Sequence, residues 1–199
     1  MAYKKFFVFC LCLLPLAYLV YGAFYQVLGV NPVETIIRTL GDWALYFLLI
    51  TLSITPLRDV TGWGSLLRFR RMLGLYVFFY ACLHGLAFIW FDHGFNVAEI
   101  IEDVLKRPFI TIGFVSLLLL LPLALTSNNY MIRRLKKGWQ RLHKIVYFIS
   151  ILVMVHYFLM IKADYYQPLI FLLCLMCLLG LRLVKIDKEK IMTFVHKLI

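Results

Sequence analysis

Charge is scarce in this sequence, and negative charge scarcest. Of 199 residues only 16% are charged, with 10 aspartates and glutamates against 21 lysines and arginines. A soluble domain carries about 25% charge and about 45–50% apolar residues, whereas 63% of this chain is hydrophobic. Long linkers, internal repeats and low-complexity tracts are also missing, which leaves a single domain over residues 1–199. The five cysteines do not form a disulfide framework, because all fall inside apolar runs. Cys174-x-x-Cys177 has a redox or metal spacing, but no histidine or acid lies near it, so both are read as small apolar filler.

What is present is hydrophobic sequence in runs of about twenty residues, the length that crosses a hydrocarbon core of about 30 Å. Six spans are predicted, over Lys5–Tyr25, Gly41–Leu57, Met72–Phe91, Pro108–Ser127, Trp139–Ile161 and Gln167–Leu183. The fold class is therefore an all-α integral membrane protein. The first run lacks a small-x-small cleavage site and is long for a signal sequence, so it is read as a retained helix.

Charge orients the bundle. With the N-terminus in the cytoplasm, 17 of the 21 basic residues fall on the cytoplasmic side, and only Arg38, Lys106, Arg107 and Lys162 fall outside. That is the positive-inside pattern, and it puts the C-terminus in the cytoplasm too. Most acids lie at the outer side, Glu34, Asp42, Asp92, Glu99, Glu102, Asp103 and Asp164 among them. Topology and anionic lipid account for the net charge of +11, so it gives no support to nucleic-acid binding.

The outer loops predict short amphipathic helices. In "GVNPVETIIRTLGDW", Asn31 suits an N-cap, Pro32 the first helical position and Gly41 the far end. In "NVAEIIEDVLKRP", Val97, Ile100, Ile101, Val104 and Leu105 recur at helical spacing, with Glu99, Glu102 and Asp103 opposite. Both are expected to lie on the membrane surface. The second also offers an acidic face to an external partner.

Three histidines lie within spans, where an ionisable group is costly and points to function. His93 and His196 lie outside them and are assigned no role. His84 and His156 fall at similar depth toward the outer side of two helices that run the same way. Two imidazoles facing across a bundle suit bis-histidine haem ligation. Zinc would want further ligands, and no acid lies at that depth. His143 sits about 20 Å from His156, near the inner surface. The matching place on the third span holds Arg70, with Arg71 beside it. Arginine is a poor iron ligand but a good partner for propionate or phosphate, so the inner site is expected to take an anionic group, from a haem on His143 or from a flavin. Thirteen residues turn an ideal helix so that His143 and His156 end about 140° apart. Either the helix is bent or the two sites face different neighbours.

The segments "RRMLGLYVFFYACLHGLAF" and "KKGWQRLHKIVYFISILVMVHY" resemble the MsrQ (YedZ) family, haem-binding membrane subunits of a periplasmic protein-methionine-sulfoxide reductase system. "NPVETIIRTLGDWAL", "ITPL", "KRPFITIGFVSLLLLLPLALTS" and "QPLI" extend the likeness over nearly the whole chain, and the Trp139-to-His143 unit is similar to the wider ferric-reductase-type superfamily. The resemblance implies a six-helix haem b protein of the bacterial inner membrane. It would take electrons from the quinone pool and pass them to a periplasmic molybdopterin-containing reductase that repairs oxidised methionine. It implies haem-associated roles for His84, His143 and His156, places Trp139 in the inner motif, and links the family to FMN. A transmembrane ferric or cupric reductase is the alternative. Either version needs a separate donor such as a cytosolic flavin reductase, because the chain is too short to hold its own flavin or nicotinamide domain. The methionine sulfoxide chemistry would lie in the partner.

Overall fold

The computed structural model describes residues 2–161 and 163–183. His196, the basic tail and the expected cytoplasmic C-terminus lie outside them. Among the described residues every regular element is helical: α1 (Ala2–Phe24), α2 (Pro32–Thr61), α3 (Leu67–Ala87), α4 (Val97–Lys106), α5 (Pro108–Leu125), α6 (Asn129–Leu135), α7 (Lys137–His143), α8 (Ile145–Met160) and α9 (Tyr166–Leu183). Five stretches are long and apolar enough to cross a membrane: Tyr3–Phe24, Pro32–Thr61, Gly64–Asp92, Pro108–Leu125 and Lys137–Met160. Tyr166–Arg182, at the place of the expected sixth span, is a shorter apolar helix.

One expectation is corrected. The first outer loop does not form a separate surface helix ending at Gly41. Asn31 caps the N-terminus as predicted, its side chain accepting from the Glu34 N–H, but the helix then runs unbroken for 30 residues through Gly41. Gly41 serves close packing rather than termination, because the His84 ring lies against it. The second outer helix is found as α4, capped by Asn96. Its residues Val97, Ile101 and Leu105 are exposed, while Asp103 turns inward, with its carboxylate 3.3 Å from Nε2 of the buried His93.

The fifth span is interrupted between its two histidines. Lys144 separates α7 from α8, and the N–H groups of Lys144 and Tyr147 bond three residues back, to Arg141 and Lys144. This tighter 3₁₀-type turn is a local distortion, one of the two outcomes that the thirteen-residue spacing left open.

Helix α2 packs along α3 and α5 along α8, and α3 meets α5 to join the pairs. Helix α9 closes against α2 and α8, and α1 lies on α2 and α3. Leu48, Leu52, Tyr80 and Ile149 are fully buried at the centre. A phenol inside an apolar bundle needs an acceptor. Tyr76 and Tyr80 find theirs on α1, donating to the carbonyls of Phe9 at 2.9 Å and Cys12 at 2.8 Å. The outward side chains, such as Phe6, Leu14, Tyr18, Leu118 and Leu173, are apolar and exposed, as a lipid-facing surface requires.

Candidate functional site

His84 on α3 and His156 on α8 meet in the bundle, with ring centres 6.2 Å apart and planes at 79°. Each ring is held from behind. The Nδ1 of His84 lies 2.9 Å from the Ile37 carbonyl on α2, and that of His156 lies 2.6 Å from the Phe109 carbonyl on α5. A ring nitrogen facing a carbonyl must carry the proton, so each imidazole keeps its lone pair on Nε2.

Both supports are built alike. Each carbonyl precedes its histidine by 47 residues, and each is followed four residues later by a glycine, Gly41 or Gly113. A helical carbonyl already accepts from the N–H four residues on, so its second lone pair must receive the ring. A side chain at that later position would block the approach. A Cβ on Gly41 would stand 3.1 Å from His84 Nδ1, and one on Gly113 would stand 2.9 Å from His156 Nδ1 and Cε1.

The separation of the ring centres matches that of two imidazoles bound to one metal. Two metal–imidazole bonds of about 2.0–2.1 Å, with about 1.1 Å from each nitrogen to its ring centre, require roughly 6.2–6.4 Å between centres. Among the described residues no cluster of three or more histidines, cysteines or acids could hold a bare ion. The two imidazoles therefore suit a metal that brings its own equatorial ligands, as haem iron does.

A second feature is a cavity of about 410 Å³ nearer the inner side, lined by Thr51, Arg70, Trp139, His143 and Tyr147 among others. The Trp139 indole stacks on His143 at 3.9 Å and donates Nε1–H to the Thr126 carbonyl at 2.9 Å. His143 differs from the outer pair. Its Nε2 lies 3.4 Å from Ser127 Oγ, and its Nδ1 is buried without a partner. Arg70 and Lys144 line the cavity and no carboxylate does, so its field is positive. The structure thus gathers Arg70, Trp139 and His143, whereas the exposed Arg71 reaches across to Asn129 Oδ1 at 2.5 Å.

Three further residues belong to this inner region and were not singled out in the sequence. Thr51 Oγ1 is buried without a partner, Tyr147 lines the cavity, and Arg182 from α9 stands behind Tyr147. Pro56 within α2 was the available signal. It has no N–H, so the Leu52 carbonyl four residues earlier is left free. Arg182 donates to that carbonyl at 2.6 Å, but a partner 130 residues away cannot be read from the proline.

Residues 40–154 match the family described as ferric reductase like transmembrane component. The chain is 53% identical to a "Protein-methionine-sulfoxide reductase heme-binding subunit MsrQ" of Herminiimonas arsenicoxydans, over 84% of this chain and 78% of that protein. Proteins of the same name from Polaromonas naphthalenivorans and Rhodospirillum rubrum are 47% and 50% identical. They cover 88% and 89% of this chain, and 81% and 86% of their own lengths. No solved structure matches.

Proposed function

The chain belongs to the MsrQ family of protein-methionine-sulfoxide reductase heme-binding subunits, within the ferric reductase like transmembrane group, and from this we propose that it is a membrane haem b electron-transfer subunit. It crosses the bacterial inner membrane six times with both termini in the cytoplasm. It accepts electrons on the inner side from the quinone pool or a flavin such as FMN, and delivers them to a periplasmic molybdopterin-dependent methionine sulfoxide reductase. The observation that carries this reading is the histidine pair, with ring centres 6.2 Å apart and both Nδ1 atoms engaged by carbonyls.

When bound, the haem supplies a one-electron couple in a low-dielectric interior. The chain supplies the rest. His84 and His156 would hold the iron through Nε2, and the Ile37 and Phe109 carbonyls fix tautomer and orientation, the outer-shell role that raises ligand basicity. Arg70, Trp139 and His143 form the inner receiving site, with Arg71 at its rim. The acid-bearing outer helix α4 is the face for the periplasmic partner.

The absorption spectrum of the purified protein tests this directly. A Soret band that shifts on dithionite reduction is expected, and its absence overturns the redox reading. His84→Ala and His156→Ala should each abolish the same low-spin signal; loss in only one variant breaks the pairing. The ferric reductase like match supports a second reading, a transmembrane ferric or cupric reductase subunit. Rapid reoxidation of the reduced protein by ferric or cupric chelates, and none by the molybdopterin partner, would favour it.

A further inference from the structure

A hydroxyl on an apolar helix commonly bonds back to the preceding turn. Thr35, Thr61, Ser116, Thr126 and Ser127 do so here, each donating to the carbonyl four residues back. Thr51 and Thr55 of α2 do not. Their Oγ1 atoms are buried without a partner, and among the described residues they are the only buried hydroxyls left so. Pro56 leaves the Leu52 carbonyl without its helical N–H, and Arg182 rather than Thr55 occupies it, at 2.6 Å.

Positions 51, 55 and 59 follow one another along one face of a helix. Thr51 is 8% exposed and lines the inner cavity. Asp59 stands two turns on, near the end of α2, with its Oδ1 bonded by Arg58 and its side chain 26% exposed. The face thus runs from the cavity wall to water and carries three oxygen-bearing side chains. Neighbours on such a face are about 5–6 Å apart, a gap that one water spans with a hydrogen bond of about 2.8 Å on each side.

The inner site, as read above, takes a two-electron carrier, whereas haem passes one electron at a time and needs no proton. A quinol becomes a quinone by losing two electrons and two protons, and a reduced anionic flavin is oxidised by losing two electrons and one proton. Arg70 and Lys144 in the cavity wall favour the departure of those protons. A carrier that fills the cavity closes its mouth at Gln140 and Lys144, and a charge does not cross apolar packing unaided. Arginine cannot pass a proton on, because it has no acceptor and stays protonated. A threonine hydroxyl can, having one donor and two lone pairs.

We propose that Thr51, Thr55 and Asp59, joined by single waters, form the proton exit of the inner site. As electrons leave the carrier for the histidine pair, each proton passes to Thr51, which hands its own on through Thr55 to the Asp59 carboxylate and so to water at the inner surface. This deepens the receiving-site reading and rests on it.

The test follows reduction of the low-spin haem at its Soret band, in the full-length protein in detergent, by duroquinol, photoreduced FMN or dithionite. Thr51→Val, Thr55→Val and Asp59→Asn should slow reduction by the two carriers about tenfold or more and leave reduction by dithionite unchanged. The slowed reactions should show a solvent deuterium isotope effect that dithionite reduction lacks. Thr55→Ser keeps the hydroxyl and should keep the wild-type rate. So should Ser53→Ala, on the opposite side of α2 with its hydroxyl bonded to the Ile50 carbonyl. Because Thr51 lines the cavity and Thr55 does not, Thr55→Val separates proton passage from carrier binding. If Thr55→Val loses the low-spin spectrum, Asp59→Asn at the partly exposed end carries the test. Wild-type rates with both carriers in Thr55→Val and Asp59→Asn overturn the proposal and leave the receiving site standing. If dithionite reduces the wild type and neither carrier does, the receiving-site reading fails and the proton exit falls with it.

Discussion

At the scale of single residues, the two glycines behind the histidines carry the sharpest consequences. Gly113→Ala places a methyl group 2.9 Å from the His156 ring, and Gly41→Ala places one 3.1 Å from that of His84. Overpacking of this kind costs about 1–3 kcal/mol, and here the ring or the helix must move. Each variant should convert part of the low-spin haem signal to high-spin, with Gly113→Ala the more severe, while Gly138→Ala, with nothing within 4 Å of its new Cβ, leaves the spectrum unchanged. Equal spectra for all three would remove the glycines from the site. The crossed ring planes, at 79°, predict a strongly anisotropic low-spin ferric resonance in electron paramagnetic spectra. The histidines themselves were legible in the sequence by depth alone. Their carbonyl partners were not, since only packing brings Ile37 and Phe109 to the rings.

At the scale of elements, α4 packs against α5, and its Asp103 meets His93, which follows the end of α3. His93 is 9% exposed, with Phe88 at 4.8 Å and Asp103 at 3.3 Å. Removing it leaves a cavity and takes from Asp103 one of its two partners, the other being Arg107 at 3.3 Å, so His93→Ala should increase amide exchange along Val97–Lys106 and spare α3. The Glu102–Lys106 pair is different. Each group acts on the other, holding the Glu102 carboxyl below its ordinary range and raising the Lys106 amine. A depressed carboxyl stabilises above its unfolded pKa, and that contribution fades as pH falls through the folded value. Both groups are fully exposed and solvent screens them, so Glu102→Gln should leave the thermal midpoint where it was at neutral and at acid pH. Helix α4 itself was legible from its helical period. The continuity of α2 was not, because a glycine after an amphipathic stretch reads as a stop unless the ring that occupies its place is known.

At the scale of the whole molecule, the distribution of basic residues predicts the orientation. In a protein whose native cysteines are replaced, an impermeant maleimide added to whole spheroplasts should label a cysteine at Glu102 and not one at Lys137. The reverse pattern would invert the bundle and move the histidine pair to the cytoplasmic half. A periplasmic partner could not then receive electrons from it.

The sequence by itself determined the all-helical membrane class, the long apolar helices and the histidines worth attention, since hydropathy and helical rise are local properties that survive without contacts. It also indicated that the inner site is basic. Tertiary structure alone decided which groups stand together. The His84–His156 separation, the glycine openings behind the rings, the tight turn at Lys144 and the reach of Arg182 to Tyr147 and the Leu52 carbonyl all depend on helices far apart in the chain. Helix packing sets those distances to within an ångström or two, and no spacing along one helix encodes them.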